Sequence, residues 1–233
     1  MMNAQQQRIS SGAKRAYAAL LFAVMCGDVQ SSAPVNEVPR VRAASEGVTV
    51  PYIHPPINAD QKLNGANLLA ALRRGGLVLF MRHTQAGTVT PECTVSNLSP
   101  AGERDARFVG ESIQSVRMPV GRILTSPVCR VADTARLLGF SVPEVSNDIS
   151  NVPVPQELDL GAARARRLAE PPARATNTML VSHMQAGKSQ AQWIYLDLGE
   201  IIVYRPDSKG GSEPLARIRA DDWYDLIAMD HKK

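Results

Sequence analysis

From Gln61 onward the apolar positions fall in short blocks whose spacing changes from block to block. Leu68, Leu69 and Leu72 recur at helical spacing ahead of Gly75-Gly76, which predicts a helix and its stop. Leu77–Met81 (LVLFM) is a continuous apolar run of strand length, the pattern of a strand buried on both faces. Ser99-Pro100 offers an N-cap and a first-turn proline, and Ala106, Val109, Ile113 and Val116 behind it share one helical face. Arg122–Thr125 contains a second short strand, Pro127 opens a helix that runs through Leu138, and Thr178–Val181 is a third buried strand. Glu200–Tyr204 and Leu215–Arg219 flank Gly210-Gly211, which predicts an antiparallel hairpin near the end. This alternation predicts an α/β fold in three layers, a mostly parallel sheet flanked by helices, with that hairpin at its C-terminal side.

The first sixty residues are patterned differently. Arg8, Lys14 and Arg15 precede the apolar run Ala16–Cys26, which is too short to span a bilayer and suits the core of a secretory signal. Residues 1–28 therefore read as a signal peptide or a lipoprotein-type signal, the latter with a lipid anchor at Cys26; the alternative is an N-terminal helix packed on the domain. Residues 29–60 carry Pro34, Pro39, Pro51, Pro55 and Pro56 without any periodicity and read as a linker, with His54 a solvated member of it. Residues 61–230 form the expected folded domain. The expected location is outside the cytoplasm, periplasmic or secreted. Oxidising surroundings would allow a disulfide between Cys93 and Cys129, and two small buried thiols are the equal alternative.

Composition changes this picture little. With 233 residues, 44% of them hydrophobic and 21% charged, the chain is ordinary for a globular protein. The net charge of +4 is spread along the sequence, so no basic stripe points to nucleic acid, and a diffuse positive field favours an anionic substrate.

The chemistry concentrates where the expected strands end, the edge at which open α/β sheets bind ligands. Arg82-His83-Thr84 follows LVLFM, Ser126-Pro127-Val128-Cys129-Arg130 follows RILT, and Ser182-His183-Met184 follows TMLV. Guanidinium forks bind phosphoryl oxygens in pairs, which Arg82 and Arg130 can do. A neutral imidazole nitrogen can attack phosphorus and hold a phosphoryl group, a role open to His83, and a protonated His183 can stabilise the equatorial oxygens. A metal site fits poorly, since the two histidines stand a hundred residues apart without Cys, Asp or Glu at ligand spacing. No cofactor is expected.

The stretches FMRHT, LSPAGERDARFVG, SPVCRVADTA and LVSHMQAG, in that order, resemble the histidine phosphatase superfamily, which includes phosphoglycerate mutases and acid phosphatases. The resemblance covers roughly Asn64 to Leu226. It implies that His83 is the phosphorylated histidine, that Arg82 and Arg130 bind the phosphate, and that His183 is the second histidine of the pocket. The tail GEIIVYRPDSKGG, then LARIRADDW, resembles small exported bacterial members, some thought to act on sugar phosphates of the lipopolysaccharide core. Two positions depart from the pattern. Thr84 replaces a glycine, and the expectation is that it donates to a phosphate oxygen. Asn151 stands where mutase-like members carry a glutamate, and an amide donates no proton to a leaving alkoxide. Asp148, Glu157 and Asp159 are the candidate substitutes. The expected function is an exported, metal-independent phosphatase acting on a small phosphorylated substrate such as a sugar phosphate. The alternatives are a phosphate-ester binding or sensing module with little catalysis, and a phosphohistidine protein phosphatase.

Overall fold

The computed structural model describes residues 61–93, 95–151, 159–186, 194–207 and 209–230. The signal-type segment 1–28 with Cys26, the linker 29–60 with His54, and Glu157 lie outside the described residues. The elements run α1 (Gly65–Arg74), β1 (Val78–Arg82), α2 (Pro100–Ser115), β2 (Val120–Thr125), α3 (Cys129–Leu137), β3 (Glu144–Val145) and a single 3-10 turn (Asn147–Ile149). Then come α4 (Leu160–Ala169), β4 (Asn177–Ser182), β5 (Gln185–Ala186), β6 (Ile194–Tyr195), β7 (Ile201–Pro206), β8 (Ser212–Ile218) and α5 (Asp222–Asp230).

Six strands form one sheet in the order β3-β2-β4-β1-β7-β8, and β5 and β6 pair separately. From β3 to β1 the pairings are parallel; β7 joins β1 and β8 joins β7 in antiparallel fashion. The fold is thus α/β with a mostly parallel sheet, as the alternating pattern predicts. Strand periodicity of two separates its faces. Leu77, Leu79, Met81, Ile123, Met179, Val181, Ile201 and Val203 pack with residues of α1, α2, α3 and α5. Val78, Phe80, Leu124, Leu180, Ile202 and Tyr204 face the other way, against Ile149, Leu168 of α4, and the β5–β6 ribbon. Both faces are covered, which explains why the central strands read as continuous apolar runs.

Local chemistry sets most of the boundaries. Ser99 caps α2, its side chain accepting from Gly102 N at 3.0 Å, with Pro100 in the first turn. Helix α3 begins at Cys129, two residues later than the proline suggests. Ser126 N still donates to Val181 O at 3.2 Å, so the chain leaves the sheet only after Ser126 and needs Pro127-Val128 to turn. Asp159 caps α4 by accepting from Ala162 N at 3.0 Å. At the opposite sheet edge, buried Asn177 ties three segments together. Its Oδ1 accepts from Leu77 N at 3.1 Å, and its Nδ2 donates to Leu72 O at 2.7 Å and to Pro119 O at 3.0 Å. This fixes the near ends of β1 and β2, and therefore the register in which their far ends deliver the polar clusters.

Candidate active site

Register brings the clusters together. Arg82 pairs with Ser182 across β1 and β4, and the ladder continues one step further, His83 N donating to Ser182 O at 3.0 Å. His83 and His183 therefore emerge side by side from adjacent parallel strands. Their ring centroids are 5.8 Å apart with an interplanar angle of 78°, edge to face. Ser126, at the end of β2, brings its Oγ to 2.9 Å from His183 Nε2.

The hydrogen bonds of His83 fix its tautomer. Nδ1 lies 2.7 Å from the Thr84 carbonyl, which can only accept, so Nδ1 carries the proton. Nε2 is therefore unprotonated, and its lone pair accepts from Arg130 Nε at 3.1 Å. Burial first, then the charges of Arg130 and Arg82, lower the His83 pKa to about 4, against an opposing hydrogen bond to Thr84. His183 is lowered to about 3, again by burial first, then by His83, Arg130, Arg164 and Arg82. Burial disfavours the imidazolium form of both rings, and the guanidinium groups around them add to that effect.

Three arginines shape that field. Arg82 is the last residue of β1; its Nη1 donates to Leu196 O at 2.8 Å, and its Nε is buried without a partner among the described residues. Arg130 Nη1 donates to Ser96 Oγ at 3.1 Å. Arg164 on α4 is 4% exposed, with Cζ 6.0 Å from the Phe80 ring centroid. Arg164 Nε and His183 Nδ1 are also buried without partners among the described residues. Unsatisfied N–H groups and a strong positive potential, gathered at one strand edge, are the chemistry of an oxyanion site.

A buried ion pair holds Arg82's partner in place. Arg217 of β8 pairs with Glu200 through Nε and Nη2, and its Nη2 also donates to Tyr195 O at 2.7 Å. Glu200 Oε2 accepts from Asp197 N at 2.7 Å, so both flanks of Leu196 are pinned. Sequence reading missed Ser126, Arg164, Ser96 and this pair. Ser126 was visible as part of a strand-end cluster, but nothing local marks the others.

The remaining expected site residues are placed elsewhere. Thr84 does not offer its hydroxyl to a phosphate: Oγ1 donates to Gly102 O at 2.7 Å and Thr84 N donates to Thr134 Oγ1 at 3.2 Å. The first turn of α2 presses on the loop after Thr84 so closely that a Cβ at Gly102 would stand 2.1 Å from Gln85 O. Arg167 Nε donates to Asp148 Oδ2 at 2.7 Å, and Asp159 is occupied as the α4 cap. Cys93 and Cys129 form a disulfide with Cα atoms 6.1 Å apart.

No protein-family model matches this sequence, and no curated protein does. Solved structures of phosphatases are similar to this chain. The protein histidine phosphatase SixA complexed with tungstate is 16% identical, with 63% of this chain and 98% of that one covered and a TM-score of 0.48. Phosphoserine phosphatase from Entamoeba histolytica, in complex with 3-phosphoglyceric acid, is 15% identical over 63% of this chain and 98% of that one, with a TM-score of 0.43.

Proposed function

We propose that this domain is a phosphatase that hydrolyses a phosphate ester through a phosphohistidine on His83. The observation that carries the reading is the bond from His83 Nδ1 to Thr84 O, 2.7 Å, which leaves Nε2 unprotonated; its lone pair, which accepts from Arg130 Nε, is released when that guanidinium turns to the phosphoryl oxygens. Attack by Nε2 forms an N–P bond while the ester P–O bond breaks and its electrons leave with the departing oxygen. Water then attacks phosphorus, the N–P bond breaks, and orthophosphate and neutral His83 are regenerated. Arg82 and Arg130 bind the phosphoryl oxygens. His183, neutral among these guanidinium groups, gains proton affinity as the phosphate dianion enters and then stabilises the transferring group. The route uses no metal.

Among the described candidates, Asp148 is bound to Arg167 and Asp159 caps α4, so neither is free to protonate the leaving group, and Glu157 lies outside the described residues. That favours substrates whose leaving group departs easily, such as aryl phosphates or phosphohistidine; the tail's resemblance adds sugar phosphates to the panel. The same placement supports a second reading, a phosphate-ester binding module without turnover. Export, with the mature protein free or lipid-anchored at Cys26, belongs to the proposal; the basic-then-apolar pattern of residues 1–28 and the disulfide support it.

The test is turnover of an aryl phosphate together with acid-labile, base-stable phosphoenzyme trapped from radiolabelled substrate. Wild type gives both and His83→Ala neither. Turnover by His83→Ala at the wild-type rate refutes the proposal. Phosphate binding without turnover of aryl phosphates, sugar phosphates or phosphohistidine selects the binding module.

A further inference from the structure

The loop after Thr84 folds back on its own start. Gly87 N donates to Asn97 O at 2.8 Å, Asn97 N to Thr88 O at 3.1 Å, and Ser99 N to Gln85 O at 3.0 Å. Near its tip Thr90 and Cys93 exchange backbone hydrogen bonds of 3.1 and 3.0 Å. Cys93 is bonded to Cys129, the first residue of α3, 36 positions along the chain. The next residue, Arg130, is held by the same loop: its N donates to Ser96 O at 3.2 Å and its Nη1 to Ser96 Oγ at 3.1 Å. Arg130 Nε in turn donates to His83 Nε2 at 3.1 Å. A continuous chain of bonds thus runs from the disulfide, through Ser96 and Arg130, to the nucleophile.

We infer that Ser96 is a positioning residue for Arg130 and that the Cys93–Cys129 disulfide makes the site's affinity for phosphate depend on redox state. This rests on the reading of His83 and Arg130 as phosphate ligands. An arginine side chain has many rotamers, and fixing one costs entropy unless its fork has an acceptor already in place. Ser96 Oγ supplies that acceptor, Ser96 O anchors the Arg130 backbone, and the disulfide holds the segment carrying Ser96 against α3. A dithiol reductant opens the bond: two electrons and two protons pass to the sulfurs of Cys93 and Cys129, and the dithiol closes to its own disulfide. Ser96 then moves with the untethered loop, and Arg130 loses its support.

The experiment measures inorganic phosphate binding by calorimetry and the His83 titration by NMR, in the oxidised and dithiol-reduced protein and in Ser96→Ala and Ser96→Thr. Reduction and Ser96→Ala each weaken phosphate binding about tenfold, the scale of one charge-assisted hydrogen bond. Both raise the His83 titration midpoint from about 4, because burial still lowers it but the Arg130 charge that adds to burial has moved away. Ser96→Thr restores both readouts, which a general loss of packing would not. Equal phosphate affinity in the two redox states of the folded protein overturns the inference, as does an unmoved His83 titration in Ser96→Ala. Global unfolding on reduction overturns the redox part, and the two Ser96 variants, with the disulfide intact, then decide the positioning part. Failure of the functional reading looks different: no phosphate binding in the oxidised wild type, with the His83 titration still responding to Ser96→Ala.

Discussion

Acidification should destabilise this protein through its active-site histidines. His83 and His183 are 6% and 2% exposed, and their pKa values fall from 6.5 to about 4 and about 3. A histidine whose folded pKa lies below its unfolded one binds more protons when unfolded. Its neutral form is compatible with the fold above pH 6.5, and stability is lost as the pH falls below that value. Each histidine contributes a slope of about 1.4 kcal/mol per pH unit in the window between its two pKa values. Between about pH 6.5 and about pH 4.5 the pair together costs on the order of 5 kcal/mol, comparable with the whole stability of many domains. The lowered carboxylates Glu144, Glu213 and Asp230 release their contributions below their ordinary values of 4.5, 4.5 and 3.8, beneath this window. Urea denaturation at half-unit intervals from about pH 7 down to about pH 4.5 measures the slope. His83→Gln or His183→Gln should remove about half of it, and saturating phosphate should flatten it in wild type by raising both folded pKa values. An unchanged slope in the doubly substituted protein would refute the reasoning, since the proton uptake would then belong to other groups.

Arg217→Met should destabilise by about 3 kcal/mol in urea melts, because it removes the buried partner of Glu200 and leaves only the exposed Arg219, 3.6 Å away, to face its carboxylate. Glu200→Gln combined with Arg217→Met should recover much of that loss while phosphate affinity stays reduced, because Leu196 is no longer pinned for Arg82. Arg164→Met removes a buried guanidinium whose Nε has no partner among the described residues, so the thermal midpoint should hold or rise, by about 1–2 kcal/mol in stability, while phosphate binding weakens. A lowered midpoint would show that its packing over Phe80 outweighs its desolvation. Thr84→Val should cost about 1–2 kcal/mol by leaving Gly102 O without its donor, with phosphate affinity close to wild type; a selective loss of affinity in a stable Thr84→Val protein would return that hydroxyl to the pocket.

The elements that sequence reading misses share a physical cause. In α4, Ala163, Arg164 and Leu168 are the buried positions, and an arginine in the core-facing row hides the apolar period. In α5 only Trp223 and Leu226 are buried, too few to mark a face. The two-residue strands β3, β5 and β6 form because partners already stand beside them, and no local propensity announces so short a segment.

What the sequence by itself determined is whatever depends on neighbours along the chain. The apolar runs set β1, β2 and β4, Ser99-Pro100 set the start of α2, and the polar residues directly after each run set which side chains reach the sheet's ligand-binding edge. Tertiary structure decided everything that depends on register and on approach from distant segments. It placed His83 beside His183, turned Thr84 onto α2 instead of the phosphate side, engaged Asp148 with Arg167, and joined Cys93 to Cys129. It also set how readily the site's histidines take a proton, since the pKa of an imidazole is governed by burial and by guanidinium groups brought in from both neighbouring and distant positions. Identity and order travel with the chain. Protonation, aim and partnership are properties of the packed space around each group.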